Sequence, residues 1–91
     1  MRDGTITIVN RLGLHARAAA QLVRLAGTFK SRIVISRTDD GIHADAKSIL
    51  SVLTLAAAVG TELLLVADGL DEEAAFTAVA ELVANRFGES Q

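Results

Sequence analysis

The apolar residues of this chain switch back and forth between a two-residue and a three-to-four-residue spacing, and that alternation limits its fold more than any other feature. Thr5-Ile6-Thr7-Ile8-Val9 alternates polar and apolar side chains, so one face of a strand can meet a core while the other stays wet. Ala19, Leu22, Val23 and Ala26 then recur at helical spacing, with Gln21 and Arg24 off the stripe; a helix is expected from near Ala16 to a stop at Gly27. Ser31 to Arg37 returns to alternation, Asp39-Asp40-Gly41 supplies turn chemistry, and Ile42 to Asp45 completes a hairpin. Lys47 to Val59 fits one amphipathic helix or a short helix followed by an irregular stretch, and the short helix is preferred because Ala56-Ala57-Ala58 carries little periodicity and Gly60 ends the run. Glu62 to Ala67 is apolar nearly throughout, as in an inner strand. After the break at Asp68-Gly69, Asp71 is expected to cap a last helix, with Glu72 and Glu73 where the helix dipole favours negative charge. Ala75, Ala78, Val79, Leu82 and Val83 form the stripe of that helix.

The order strand, helix, strand, strand, helix, strand, helix suits an α+β domain, an antiparallel sheet with helices layered on one face. With 91 residues there is room for one hydrophobic core, so residues 1–91 are read as a single domain. The chain has no cysteine and cannot use a disulfide, which is compatible with a reducing cytoplasm, its expected location. Met1-Arg2-Asp3-Gly4 passes into the first strand without a basic and then apolar leader, so export is not expected. The apolar runs Leu55 to Val59 and Leu63 to Ala67 fall far short of the ~18 residues of a membrane span. A net charge of −2, with neither Trp nor Tyr, offers nucleic acid no basic face and no stacking platform, leaving proteins or small molecules as partners.

The segment with chemistry is Asn10-Arg11-Leu12-Gly13-Leu14-His15-Ala16-Arg17-Ala18-Ala19-Ala20, in which a histidine stands where a loop enters a helix. The first amides of a helix lack internal carbonyl partners and point outward, and the macrodipole adds about half a positive charge there. A phosphoryl group on His15 would meet the amides of Ala16 and Arg17 and the planar guanidinium of Arg17. Neutral imidazole is a nucleophile near neutral pH, and a helix N-terminus disfavours the imidazolium. Gly13 permits tight backbone geometry before the histidine, and Ala16 and Ala18 are expected to leave the site open. Taken alone, a His-x-Arg triplet more often marks an ordinary helix cap beside a solvated arginine.

More than a triplet is present. Gly13-Leu14-His15-Ala16-Arg17, the alanine-rich helix after it, Lys47-Ser48-Ile49, then Gly60 and Gly69-Leu70-Asp71 resemble the HPr family of histidine phosphocarriers over nearly the whole chain. The resemblance implies an open-faced β-sandwich, four antiparallel strands with three helices on one side. It implies a carrier rather than a stand-alone enzyme, monomeric and without a cofactor. Enzyme I would phosphorylate His15 on Nδ1 with support from Arg17, and enzyme IIA domains of sugar transporters would receive the phosphoryl group. Ser48 matches the family's regulatory phosphorylation site, which would make an HPr kinase/phosphorylase a further partner; an ordinary serine N-cap explains it equally well. Leu14, Leu50 and Leu53 correspond to the family's exposed docking patch, with Arg24 at its flank and burial the alternative for the leucines. Ala18 stands where the family usually has proline, a change that a first helical turn tolerates, and it leaves the branch open between sugar uptake and a nitrogen-related pathway.

His43, in the short third strand, has no further His or Cys nearby and reads as a solvated strand residue, so no metal site is expected. Asp39, Asp40, Glu72 and Glu73 read as turn and cap residues. Two functions from different classes remain: a phosphoryl carrier, and a regulatory module that signals through Ser48 or through the state of His15. Retention of His15 together with Arg17 favours the carrier.

Overall fold

The structure is a computed structural model that describes residues 1–91. Its elements are β1 Arg2–Thr7, α1 Ala16–Ala26, β2 Arg32–Arg37, β3 His43–Asp45, α2 Ile49–Leu53, β4 Glu62–Asp68 and α3 Glu72–Ala84, followed by a 3-10 turn at Arg86–Gly88. The strands form one antiparallel sheet in the order β1-β4-β2-β3. This is the four-stranded open sheet with three helices that the sequence order implies, and no helix is long and apolar enough to cross a membrane.

β4 lies between β1 and β2, so both of its edges are paired, and its near-continuous apolar run follows from that position. Leu63, Leu65 and Ala67 turn to the covered face beside Ile33 and Ile35 of β2, all fully buried, while Leu64 and Val66 lie half-buried on the other side. Over the covered face, Ala18, Ala19, Leu22 and Ala26 of α1 and Ala75, Phe76, Val79 and Val83 of α3 join one core. Fully burying one leucine or isoleucine contributes about 1.5–3 kcal/mol. The alternation of inward residues therefore fixes the strand register, since a one-residue slip would expose them all.

β1 begins at Arg2, earlier than the alternation from Thr5 suggests, and pairs from Arg2 opposite Ala67 to Thr7 opposite Glu62. Gly4 interrupts the visible pattern because the Phe76 ring lies against it; a Cβ there would come within 2.9 Å of Phe76 Cζ. The Arg2 guanidinium stacks 3.9 Å from the centre of the same ring, a cation–π contact that holds the strand's first residue in place. Ile8 leaves the ladder but stays tied to the far loop: its amide donates to the Thr61 carbonyl (3.0 Å) and its carbonyl accepts from Gly60 (2.7 Å).

α2 is short, as expected, and the chain after it is irregular. It has no basic residue in its last turn; instead Arg37, at the end of β2, donates to the Leu55 carbonyl at 2.8 Å and the Ala56 carbonyl at 3.3 Å. The same guanidinium makes a two-pronged pair with Asp39, at 3.0 and 2.8 Å.

Asp71 does not cap α3 through its side chain. Its carboxylate crosses to the segment before β2, accepting the amides of Lys30 and Ser31 at 2.9 Å each and the Ser31 hydroxyl at 2.5 Å. The carboxylate thereby satisfies two amides that the incoming strand leaves unpaired, a long-range use that local capping rules cannot reveal. The Ser31 hydroxyl, then the Lys30 amide, hold the Asp71 carboxyl down from 3.8 to about 2. A carboxyl lowered by folding stabilises the fold above its unfolded value and loses that contribution as pH falls toward its folded value. Asp71→Asn is therefore expected to melt below wild type at neutral pH, with the gap in Tm closing as pH drops from 3.8 to about 2. Parallel thermal melts across that range check it, and a gap independent of pH would contradict the assignment.

Candidate functional site

His15 is the N-cap of α1, with φ −76° and ψ 179°, an extended residue from which the helix turns away. Its carbonyl accepts the Ala19 amide at 2.8 Å, so the amides of Ala16, Arg17 and Ala18 precede the first closed turn. One of them is already turned to the ring: the Arg17 amide donates to His15 Nδ1 at 3.3 Å. Nδ1 thus presents its lone pair toward the helix end, and the hydrogen of the neutral ring belongs on Nε2. The side chain is 27% exposed, seated but reachable.

The approach to His15 is held from three directions. Asn10 is fully buried and its Nδ2 donates to the Gly13 carbonyl at 2.8 Å and to Glu89 Oε1 at 3.0 Å. The Gly13 amide returns to the Asn10 carbonyl at 3.1 Å, closing a tight turn, and the Leu14 amide donates to the Ala57 carbonyl at 2.8 Å. Gly13 has φ +70°, and a Cβ there would sit 2.7 Å from the Ala57 oxygen and 3.0 Å from Ala58 Cα. Both the backbone angle and the space demand glycine. On the far side of the ring, Nε2 lies 2.5 Å from Glu89 Oε2. The Glu89 carboxyl is held below its ordinary range, first by the hydrogen bond with His15, then by that from Asn10, with the charge of Arg17 adding a little.

The residues singled out in the sequence take different places. Ala16 and Arg17 are exposed beside His15, and the Arg17 guanidinium makes no hydrogen bond or ion pair, so it can turn to an arriving anion. Ala18 is fully buried and faces the core; its small size serves packing rather than access to the site. Leu14 also corrects an expectation: at 6% exposure it belongs to the core and not to an apolar surface patch, because the amide link to Ala57 turns its side chain inward. The surface leucines are Leu50, 75% exposed, and Leu53, 37% exposed, joined by Ile49. α2 packs against α1, which brings these residues beside the helix that starts at His15. Arg24 is exposed in the last turn of α1.

Ser48 is the N-cap of α2, its Oγ accepting from the Ser51 amide at 3.4 Å. His43 is exposed on β3 opposite Ser36. Asp40 accepts the Ile42 amide in the hairpin turn, Glu72 accepts the Gly69 amide ahead of α3, and Glu73 pairs with Arg2 at 3.4 Å. Sequence reasoning missed Asn10 and Glu89 as parts of the site. Nothing in the periodicity marks either residue, and only a contact across 74 positions makes Glu89 a neighbour of His15.

Comparison with known proteins places this arrangement. The family profile described as the PTS HPr component phosphorylation site matches residues 3–85. The chain belongs to the HPr family of phosphocarriers. It is 52% identical to the phosphocarrier protein HPr of Cupriavidus necator over 85 residues, 93% of each chain, and 46% identical to that of Treponema pallidum over 85 residues, 93% of this chain and 94% of the other. The crystal structure of HPr-C-His from Thermoanaerobacter tengcongensis superposes with a TM-score of 0.92 at 38% identity, covering 100% of both chains. The HPr from Bacillus anthracis gives 0.85 at 33% identity over 90% of this chain and 95% of the other. Phosphohistidine chemistry in the service of sugar transport by the phosphotransferase system follows from HPr membership.

The close approach at Gly13 yields a test of how the HPr loop is held. Gly13→Ala must force either the left-handed backbone or the Ala57 carbonyl to move, and is expected to cost about 2–4 kcal/mol of stability. Urea denaturation measures it; a cost within about 0.5 kcal/mol, the range of an ordinary surface change, would contradict the geometry described.

Proposed function

We propose that this chain accepts a phosphoryl group on His15 Nδ1 from phosphorylated enzyme I and donates it to enzyme IIA domains of sugar transporters, acting as a cytoplasmic monomer without cofactor. The observation that carries the reading is the direction of Nδ1, which accepts the Arg17 amide at 3.3 Å at the open N-terminus of α1. On attack, Nδ1 gives its lone pair to phosphorus and the donor keeps the electron pair of the bond that breaks. The Arg17 amide, freed from Nδ1, and the neighbouring amide of Ala16 then face the phosphoryl oxygens, and the unpartnered Arg17 guanidinium closes over them. Each of these donors works at the helix end, where the dipole already favours an anion. A carrier must give up what it accepts, and amides near the surface stabilise the phosphoryl group without sequestering it.

Docking is assigned to the exposed residues Leu50 and Leu53 on α2, with Arg24 at the flank offering charge to acidic partners. Ser48 is accounted for as the N-cap of α2, and no feature of the structure favours the regulatory reading over the carrier.

Incubation with enzyme I and phosphoenolpyruvate, followed by intact-mass measurement, is expected to add one acid-labile phosphoryl group to wild type and none to His15→Ala. Absence of the modification on the wild-type chain sinks the carrier reading. Arg17→Ala is expected to accept phosphate roughly tenfold more slowly or worse, as for loss of one charge-assisted contact to a transferring group. Leu50→Asp, with His15 and its donors intact, is expected to raise the KM for enzyme I severalfold while changing kcat little, which steady-state phosphotransfer kinetics resolve.

A further inference from the structure

The C-terminal segment meets the imidazole on the side opposite to the nucleophilic nitrogen, and the contact is built rather than incidental. Beyond α3 the chain turns back through three successive left-handed residues, Arg86 (φ 56°), Phe87 (φ 53°) and Gly88 (φ 77°). Two of these are not glycine, so the reversal is a strained one that packing must hold. Phe87 supplies that packing, its ring buried in the core. Past the turn, the Arg11 amide hydrogen-bonds to the Gln91 carbonyl, and Arg11 Nη1 donates to Gln91 Oε1 at 3.0 Å. Between these anchors stands Glu89, 19% exposed, with Oε1 held by the buried Asn10 Nδ2 and Oε2 on His15 Nε2. The family profile matches residues 3–85, so Glu89 lies beyond the matched segment.

We propose that Glu89 is a positioning residue for phosphoryl transfer: by accepting the Nε2 hydrogen it fixes the ring with Nδ1 toward the helix end, and it offsets the positive charge the ring acquires when Nδ1 is phosphorylated. The proposal rests on the carrier reading above. In the transfer, the Nδ1–phosphorus bond forms as the donor's bond to phosphorus breaks and its electron pair leaves with the donor. No proton leaves His15. The Nε2 hydrogen stays where it is, and the ring becomes a phosphorylated imidazolium whose remaining N–H points at a carboxylate. That hydrogen bond strengthens as the ring charge develops, which is what accelerates a step rather than merely binding its reactant. Glu89 and the phosphoryl group carry like charge, but the ring separates them. The phosphoryl oxygens are met by the α1 amides and Arg17, and the carboxylate by His15 and Asn10. Arg11 and Arg17 add positive charge on the same side of the molecule, so the carboxylate does not stand as an uncompensated repulsion.

The test uses the full chain and two variants, Glu89→Gln and Glu89→Ala, with phosphorylated enzyme I as donor. Wild type is expected to show a downfield, slowly exchanging Nε2-bound proton in nitrogen-edited NMR, absent from Glu89→Ala. The rate of phosphoryl acceptance at saturating donor is expected to fall roughly tenfold in Glu89→Ala, the scale of one charge-assisted hydrogen bond, and less in Glu89→Gln, whose amide oxygen still accepts from Nε2–H. A stability change alone would move neither the proton resonance nor the order of the rates. Rates in both variants equal to or above wild type would overturn the proposal while leaving the carrier reading intact. A wild-type chain that takes no phosphoryl group would instead remove the carrier reading itself.

Discussion

The pairing of β4 on both edges is the constraint from which the rest follows. Its backbone is satisfied by β1 on one side and β2 on the other, and its inward residues Leu63, Leu65 and Ala67 give the helices a surface to cover. Because the loop before β4 is also the wall behind the histidine turn, the same pairing that organises the core positions the chemistry. Thr61 and Gly60 grip Ile8, Ala57 grips Leu14, and the stretch from Ile8 to Leu14 has little freedom left. His15 is thus delivered to the start of α1 by a loop fixed at both ends.

That delivery explains why so few groups suffice. A histidine on a mobile loop would lose the ordering entropy again with each partner it met, whereas here it is already lost on folding. The groups around the ring divide the work by position. Helix amides face Nδ1, a guanidinium waits free at the rim, and a carboxylate sits against Nε2. Electrostatically the two ends of the ring meet opposite signs, so the imidazole lies along the local field rather than across it.

Much of this was legible in the sequence because it is local. The order of elements, the short α2 and the start of α1 follow from spacing, and the His15–Arg17 pair from what a helix end does to its neighbours together with the family resemblance. What was hidden is long-range. The resemblance puts Leu14 on the surface, yet it is buried; Ala18 is expected to leave the site open, yet it faces the core; and Asp71 is expected to cap α3, yet its carboxylate crosses to Ser31. β1 started early because Gly4 and Phe76, far apart in sequence, share one space. Glu89 is the extreme case. Helical periodicity stops at the end of α3, and a left-handed reversal at Arg86 and Phe87 has no signal in residue types that ordinarily avoid it.

β3 forms one margin of the sheet, with β1 at the other, and is only three residues long, pairing Asp45, Ala44 and His43 with Val34, Ile35 and Ser36. So short a margin, with a carboxylate at one end and an imidazole at the other, gives an incoming polypeptide little main chain to zip onto. At this border the fold discourages edge-to-edge growth between copies of the chain, which a longer apolar outer strand would invite.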